Sequence, residues 1–397
     1  MKIESIRIKN FRLFQNVTIN QLPNCCVFVG ANGTGKTSLF DLFGFLHDAL
    51  TYNVTQALEK RGGFFEVVSR GTSGPIELEL KFRDLKATSA FVTYLLVIDF
   101  VNNQPVVKRE ILKLRSGTRA GGLKHFLDFS LGRGKVITHE QVNHKRPDTK
   151  EKFQEEQLIS SDILAIKVLG QLQRFEIISE LCRFIEKWHL SDFQQGEIRS
   201  VNKAAGYNKH LSSSGDNLAR FAQTIYDKHP DTYRDILRKM ARRVPGVAKV
   251  EPVTENGRIL LKFQESAFDV PFLSWQVSDG TISLLAYLLL LHDPNPHPLL
   301  CVEEPDRQLY PHLLRELAEE FSLYALMGES QIFVSTHSPD FLNGAELTEI
   351  FWLEAQKSGY TQMHRAAESQ LLHDLVSDGE LPGALWKQTL LEDANLP

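Results

Sequence analysis

Apolar residues recur along this chain with two periods, and the switch between them marks its organisation. Ile76-Glu77-Leu78-Glu79-Leu80-Lys81-Phe82 alternates strictly, as an antiparallel strand with one wet face does. Similar patterns predict strands over 3–8, 17–19, 25–29, 91–101 and 106–114, so the first 115 residues read as strands around one amphipathic helix over 37–50. Residues 116–160 are rich in Gly, Lys, His and polar residues with little periodicity and read as a loop or lid. Helical spacing takes over from 160 to 243, clearest over 177–188, 216–228 and 233–243, with Ser214-Gly215-Asp216 as the N-cap of the second stretch. Strands over 247–253 and 259–263 follow, joined by the hairpin turn Glu255-Asn256-Gly257, and then an apolar helix over 282–291. From 298 to 355 strand and helix alternate, which builds a parallel sheet. The helical stretch is too short and too interrupted by Gly and Pro for a long coiled coil.

The strand over 25–29 runs directly into Gly30-Ala31-Asn32-Gly33-Thr34-Gly35-Lys36-Thr37-Ser38, and a helix follows at once. This is a P-loop in its proper setting. Glycines let backbone N–H groups converge on a phosphate chain, Lys36 can reach the β and γ phosphates, the Thr37 hydroxyl can hold Mg2+, and the helix N-terminus faces the anion. A bound nucleoside triphosphate is the expectation. Pro298-Leu299-Leu300-Cys301-Val302-Glu303-Glu304-Pro305 is an apolar strand ending in two carboxylates, the form of a Walker B element. Adjacent carboxylates repel and prefer hydration, so packing does not explain them. Separate roles do: Glu303 beside Mg2+ and Glu304 as the base that orients attacking water.

Ser278-Asp279-Gly280-Thr281 precedes the apolar helix, and Ile332-Phe333-Val334-Ser335-Thr336-His337-Ser338 is a buried strand ending in a polar turn with a histidine. In this order the motifs resemble the ABC-type ATPases of the RecF, SMC and OLD kind, specifically the compact RecF-like AAA heads. The opening Ile6-Arg7-Ile8-Lys9-Asn10-Phe11-Arg12-Leu13-Phe14 resembles the first strand and Asn-Phe-Arg turn of these heads. The likeness is close over 1–45 and 275–345, looser over 180–275 and almost absent over 50–180. It implies an α/β fold: an ABC-type P-loop NTPase head with a mixed sheet, an antiparallel β subdomain and an inserted helical lobe. The expected division is 1–115 and 246–397 for the two parts of the head, with 116–245 as a loop-rich and helical insertion.

The resemblance also implies roles. ATP and Mg2+ are the expected ligands, with Arg12 near the phosphates. Ser278 and Gly280 would be the signature residues that cap the γ phosphate held by the P-loop of another protomer, and His337 the switch histidine that senses the same phosphate. A homodimer or higher oligomer is therefore expected. Where many relatives have a histidine two residues past Arg307-Gln308, this chain has Tyr310, and Asp306 is left as the residue that crosses the dimer interface. Gln171 reads as a surface glutamine, so no Q-loop residue is assigned.

Composition narrows the setting. With 42% hydrophobic and 24% charged residues over 397 positions, the chain is globular and large enough for two lobes. Its start lacks the apolar core of a signal peptide, and its longest apolar run falls short of the roughly 20 residues a bilayer needs. A cytoplasmic protein with no membrane contact is expected. Cys25, Cys26, Cys182 and Cys301 show no paired spacing, as buried thiols in a reducing compartment would not. The net charge of −4 excludes a global adaptation to polyanions. Two local basic clusters read equally as phosphate-backbone contacts or as solvated faces: Lys108, Arg109, Lys113, Arg115, Arg119, Lys124, Arg133, Lys135, Lys145 and Arg146, and then Arg238, Lys239, Arg242 and Arg243.

Two functions stay open. One is an ATPase whose cycle acts on DNA or gates a partner protein, in DNA repair or anti-phage defence. The other is an ATP-gated sensor or scaffold that controls a nuclease or toxin effector encoded nearby and turns over little ATP. A GTPase is disfavoured because Asn202-Lys203 is followed by Ala204-Ala205, not by the guanine-reading x-Asp. Glu79-x-Lys81 and the set His139, Asn143 and His144 imitate nuclease motifs, but strand alternation and a polar loop explain them. An appended TOPRIM nuclease is not expected, since no Asp-x-Asp pair follows His337.

Overall fold

The alternation over 76–82 folds as read: Ile76, Leu78, Leu80 and Phe82 are buried, while Glu77, Glu79, Lys81 and Arg83 keep contact with water. Each such apolar side chain contributes about 1.5–3 kcal/mol by leaving water, which outweighs the entropy of ordering it. The computed structural model describes residues 1–83, 91–115, 123–137, 153–204, 206, 208–307, 309–328 and 330–388. Two units emerge from the packing, one of Met1–Trp188 with Phe351–Glu368, the other of His189–Ile350 with Ser369–Pro397.

The first unit holds β1 (Lys2–Phe11), β2 (Phe14–Asn20), β3 (Cys25–Val29), β4 (Ile76–Arg83), β5 (Phe91–Val101), β6 (Gln104–Arg115), β7 (Leu123–Ser130), β8 (Arg133–Ile137) and β9 (Phe153–Gln157). All but β3 form an antiparallel sheet in the order β2-β1-β4-β5-β6-β7-β8-β9. Tight turns set its register. Asn102 and Asn103, both left-handed, join β5 to β6, because two-residue hairpins need positive φ and asparagine tolerates it. The expectation of a loop over 116–160 is corrected here: 123–130, 133–137 and 153–157 are strands that extend the sheet. Sequence concealed the last of them because β9, Phe-Gln-Glu-Glu-Gln, is exposed along nearly its whole length, so no apolar alternation marks it. The helices of this unit are α1 (Lys36–Thr51), α2 (Val54–Glu59), α3 (Phe64–Val67), α4 (Ala165–Leu169) and α5 (Glu176–Glu186). Ile178, Leu181, Cys182 and Ile185 make the buried stripe of α5 at the helical spacing i, i+3, i+4, i+7. The last segment of this unit, the hairpin β17 (Ile350–Ala355) and β18 (Thr361–Arg365), sets β17 beside β3.

In the second unit β10 (His189–Ser191), β15 (Leu299–Glu303) and β16 (Gln331–Thr336) pair in parallel. Beside them β11 (Asn202–Lys203), β12 (Val247–Glu255), β13 (Arg258–Glu265) and β14 (Phe272–Leu273) form an antiparallel group whose β12–β13 turn has left-handed Asn256 and Gly257, as expected. The helices are α6 (Gln195–Ile198), α7 (Leu218–Lys228), α8 (Pro230–Arg243), α9 (Asp279–Leu291), α10 (Pro311–Met327), α11 (Pro339–Leu342), α12 (Gln370–Ser377) and α13 (Pro382–Lys387). Every residue of α9 from Gly280 onward is buried, as a helix with no polar face requires. The start of α7 differs from the expected cap at Ser214-Gly215-Asp216. Asn217 holds the cap position and makes no side-chain capping bond, because its amide instead receives Ser212 N–H at 2.8 Å and donates to His210 O at 2.9 Å. All four cysteines are buried free thiols. Among the described residues no helix is long and apolar enough to cross a membrane.

One buried acid ties sheet to helix in the first unit. Glu110 of β6 is fully buried and accepts the N–H groups of Ala165 and Ile166 at 2.5 and 3.0 Å and the Tyr94 hydroxyl at 3.1 Å. It thereby satisfies the first turn of α4, which has no cap of its own. Burial pushes its carboxyl up to about 7, and the three hydrogen bonds offset only part of that rise. Between the ordinary value of 4.5 and about 7, the folded chain keeps a proton that the unfolded chain has lost, so this group's contribution to stability falls as pH rises through that window. Glu110→Gln removes the titration. Denaturant unfolding at pH 5 and pH 8 should show a loss on the order of 3 kcal/mol in the parent that is absent in the variant. Equal slopes in the two proteins would show that Glu110 does not titrate on folding.

Candidate functional site

In the first unit the candidate site is the turn between β3 and α1. Gly33 and Gly35 have φ of 82° and 104°, a left-handed backbone open at low cost only to residues without Cβ. At Gly30 a Cβ would meet the Thr34 hydroxyl at 2.4 Å and the Leu353 carbonyl at 2.8 Å. The loop is therefore closed behind by β17, while the space over Gly33 is open. Lys36, 5% exposed, lies inside this curl with Nζ donating to Gly30 O at 2.7 Å and Ala31 O at 3.1 Å. Asn32, Gly33 and Thr37 face solvent and Ser38 is half-buried. A polyphosphate fits this cradle: backbone amides, the α1 N-terminus and a cation in the centre. Thr37, whose hydroxyl is the one expected for Mg2+, is exposed beside it.

Anchors that carry no sequence signal hold the cradle. Thr361 of β18 donates its hydroxyl to Thr34 O at 2.7 Å and its N–H to Leu13 O at 2.9 Å, across more than 300 residues of chain. Arg12, left-handed at φ 48°, donates N–H to Val67 O and Nε to Asp41 Oδ2 on α1 at 2.6 Å, and Arg61 Nε holds the other oxygen of Asp41 at 2.6 Å. Arg12 and Ser38 line one cleft of about 420 Å3 together with Leu13, Arg70 and Tyr360.

In the second unit a separate group of candidate residues lies at the ends of β15 and β16. Glu303, last residue of β15, stands in register with Ser335. Glu304 follows at φ 42°, a left-handed conformation that costs a non-glycine residue on the order of 1–3 kcal/mol. Its N–H donates to Ser335 O at 2.9 Å, which fixes this backbone. Its carboxylate accepts Arg307 Nε at 2.6 Å and lies 3.9 Å from His337 Nδ1. That pairing pushes the Arg307 guanidinium up from its ordinary range. Asp306, expected to project across a dimer interface, is instead turned inward. Its side chain is 3% exposed, accepts the Thr336 hydroxyl at 2.8 Å and lies 3.3 Å from His337 Nδ1. His337 itself is exposed, so the structure gathers Glu304, Asp306 and His337 at one rim.

The signature segment opens α9. Ser278, exposed, is the N-cap: its Oγ accepts Thr281 N–H at 3.2 Å and lies 2.7 Å from the Thr281 hydroxyl. Gly280 is buried in the first turn. Sequence reasoning missed Arg199, whose guanidinium binds the Asp279 carboxylate and the carbonyls of Ser274 and Val277, the last at 2.9 Å. A contact over about 80 residues leaves no local pattern to find. Tyr310 is exposed at the start of α10, and Gln171 is exposed, as read.

The basic clusters look less like anion surfaces once their neighbours are known. Lys108 pairs with Asp99 at 2.8 Å, Arg109 with Asp128 at 3.1 Å and Lys135 with Glu155 at 3.4 Å, all across strands. On α8, Arg238 pairs with Asp235, Lys239 with Glu320, and Arg243 with Glu316 and Glu320 at 2.7 Å each. Arg119, Lys145, Arg146, His139, Asn143 and His144 lie outside the described residues. Glu79 and Lys81 are 3.5 Å apart on the wet face of β4, a surface pair rather than a nuclease centre.

Comparison with known proteins agrees with this geometry. The family described as "AAA ATPase domain" matches residues 1–238, and the one described as "AAA domain, putative AbiEii toxin, Type IV TA system" matches 134–343. The DNA replication and repair protein RecF of Lactococcus lactis subsp. lactis (strain IL1403) is 23% identical over 379 residues, 89% of this chain and 98% of that protein. RecF of Listeria welshimeri serovar 6b is 25% identical over 365 residues, 85% and 93% of the two chains. Among solved structures, the SmcHead bound to the C-winged helix domain of ScpA superposes with a TM-score of 0.53 at 15% identity, covering 92% of this chain and 98% of that one. The Smc head domain from Pyrococcus furiosus gives 0.52 at 13% identity, covering 95% and 99%. These last two show the fold, an ABC-type P-loop head. With family matches over more than half of its length, the chain belongs to the RecF/SMC-like family of ABC-type AAA ATPases, and it is an ATP-hydrolysing enzyme.

Proposed function

We propose that the protein hydrolyses ATP at composite sites in a head-to-head homodimer and uses the cycle to act on DNA. The observation that carries the nucleotide reading is the buried Lys36 ammonium, held inside a left-handed glycine loop by two carbonyls that phosphate oxygens can replace. In this reading Gly30, Asn32, Gly33, Thr34, Gly35 and Lys36 surround the phosphates, and the cleft beside Ser38 and Arg12 takes the nucleoside. Thr37 and Glu303 would hold Mg2+, which neutralises charge on the transferred phosphoryl group. Glu304 orients the attacking water, and His337, near both Glu304 and Asp306, meets the γ phosphate. Arg307 now occupies the Glu304 carboxylate, so the base works only once that pair opens.

The DNA reading rests on the printed names of the RecF relatives. A second reading has its own support: the family matching 134–343 carries a toxin and type IV TA description, which favours an ATP-gated subunit in defence that controls an effector encoded nearby. Copurification from the native host separates the two, nucleic acid supporting the first and a stoichiometric protein the second.

Three outcomes test the chemistry. Lys36→Ala should weaken MgATP binding by about 10^2-fold, the loss of two charge-assisted hydrogen bonds, in an equilibrium titration. Unchanged affinity removes the P-loop assignment.

Glu304→Gln should keep ATP binding and slow hydrolysis by roughly 10^2 to 10^4-fold, the usual worth of a positioned base. Steady-state turnover at the parent rate would mean that another group does this work.

The composite site makes the sharpest claim. Ser278 is exposed at the head of α9, where an arginine would obstruct a docking phosphate. Ser278→Arg and Lys36→Ala homodimers should both lack ATPase activity, whereas a purified heterodimer of the two carries one intact site and recovers part of it. Full activity in the Ser278→Arg homodimer, or ATP hydrolysis by a strict parent monomer, sinks the shared site.

A further inference from the structure

Three side chains in the second unit converge where no step of ATP hydrolysis needs them. His210 lies in the loop before α7, Asp293 follows the end of α9, and His297 precedes β15. Their ligand atoms all lie within 4.8 Å of one another, with His210 Nδ1 2.7 Å from Asp293 Oδ2. The Asp293 side chain is 1% exposed and His297 is buried, so two of the three stand out of water. We propose that His210, Asp293 and His297 bind a zinc-like divalent transition-metal ion that clips the segment between α9 and β15 to the loop before α7.

The donor set decides the class of ion. Two imidazoles and one carboxylate suit zinc and its neighbours, whereas Mg2+ and Ca2+ favour all-oxygen sites. Tetrahedral ligands at 2.0–2.2 Å from an ion stand about 3.3 Å apart. The present separations, from 2.7 Å up to 4.8 Å, bracket that value, and His210 is the partly exposed member of the three.

The surroundings orient each donor. Asn295 N–H holds Asp293 Oδ1 at 2.8 Å, which leaves Oδ2 toward the histidines. Asn217 holds the loop around His210, donating to His210 O and accepting Ser212 N–H. The His297 ring stacks on His189 of β10 with centroids 4.5 Å apart and planes 23° from parallel, which sets its plane. Supports of this kind keep ligands in place and raise affinity. Three protein ligands leave a fourth position for water. The pull of the ion on a segment joining the signature helix to the Walker B strand makes the expected role structural.

The test uses the full chain, treated with chelator, exchanged into excess Mg2+ and titrated with Zn2+ or Co2+. Expected are one tightly held Zn2+ per chain by elemental analysis, the intense visible absorption of tetrahedral Co2+, and an unfolding temperature raised by about 5 °C at saturating Zn2+. His210→Ala and His297→Gln should each weaken Zn2+ binding at least about 10-fold, while His312→Ala, on the exposed face of α10, leaves it unchanged. If His297→Gln fails to fold, His210→Ala decides, because that side chain is partly exposed. A parent chain that takes up no Zn2+ and shows no Co2+ absorption overturns the proposal, as does Zn2+ binding that survives loss of His210.

Discussion

A positive charge held almost out of water is the constraint on which the first unit is built. The Lys36 ammonium would be costly to bury without acceptors, and the Gly30 and Ala31 carbonyls supply them. They can do so only because the loop curls through left-handed glycines and closes against Leu353 and Thr361. That closure in turn requires the chain to return after some 300 residues and lay β17 beside β3. The loop is local in sequence, but its rigidity is not.

A comparable economy governs the carboxylates after β15. At φ 42° Glu304 leaves the extended backbone in which Glu303 ends β15, so its side chain does not follow the alternation of the strand. The turn is held by Ser335, and the residues after Ser335 supply Thr336 to Asp306 and His337 to the shared rim. The strand pair β15–β16 thus sets Glu303 opposite Ser335, and hydrogen bonds and close contacts just beyond the ladder place Glu304, Asp306 and His337. Strain at a position with such support is what an active-site backbone tolerates.

Legibility followed the range of the interactions. Strands with one wet face, the glycine loop, the apolar α9 and the hairpin at Asn256-Gly257 are written in consecutive residues, and the sequence named them. The α/β head and its RecF-like family were also readable, because motif order survives low identity. Three features were not. The edge strand β9 lacks a buried face, so its polar composition imitates a loop. Asn217 spends its amide on His210 and Ser212, so α7 starts without the cap its sequence promised. Arg199 and Thr361 act on residues far along the chain, and a single sequence carries no trace of such pairing.

The helix α9 draws these observations together. Its thirteen residues extend about 20 Å, and its apolar surface leaves no face free to reorient in water. Thr281, Ser283 and Tyr287 are its buried polar side chains, and its ends carry the charged contacts. At the start, Arg199 grips Asp279 and the carbonyls of Ser274 and Val277, so the exposed Ser278 and the buried Gly280 stand on a fixed base. At the finish, burial lowers the His292 imidazole below its ordinary value, so a neutral ring lies 2.8 Å from Leu288 O, and Asp293 bonds to the Asn295 backbone and His210. The same helix thus joins the exposed Ser278 to Asp293, and β15, which ends at Glu303, begins only six residues further on.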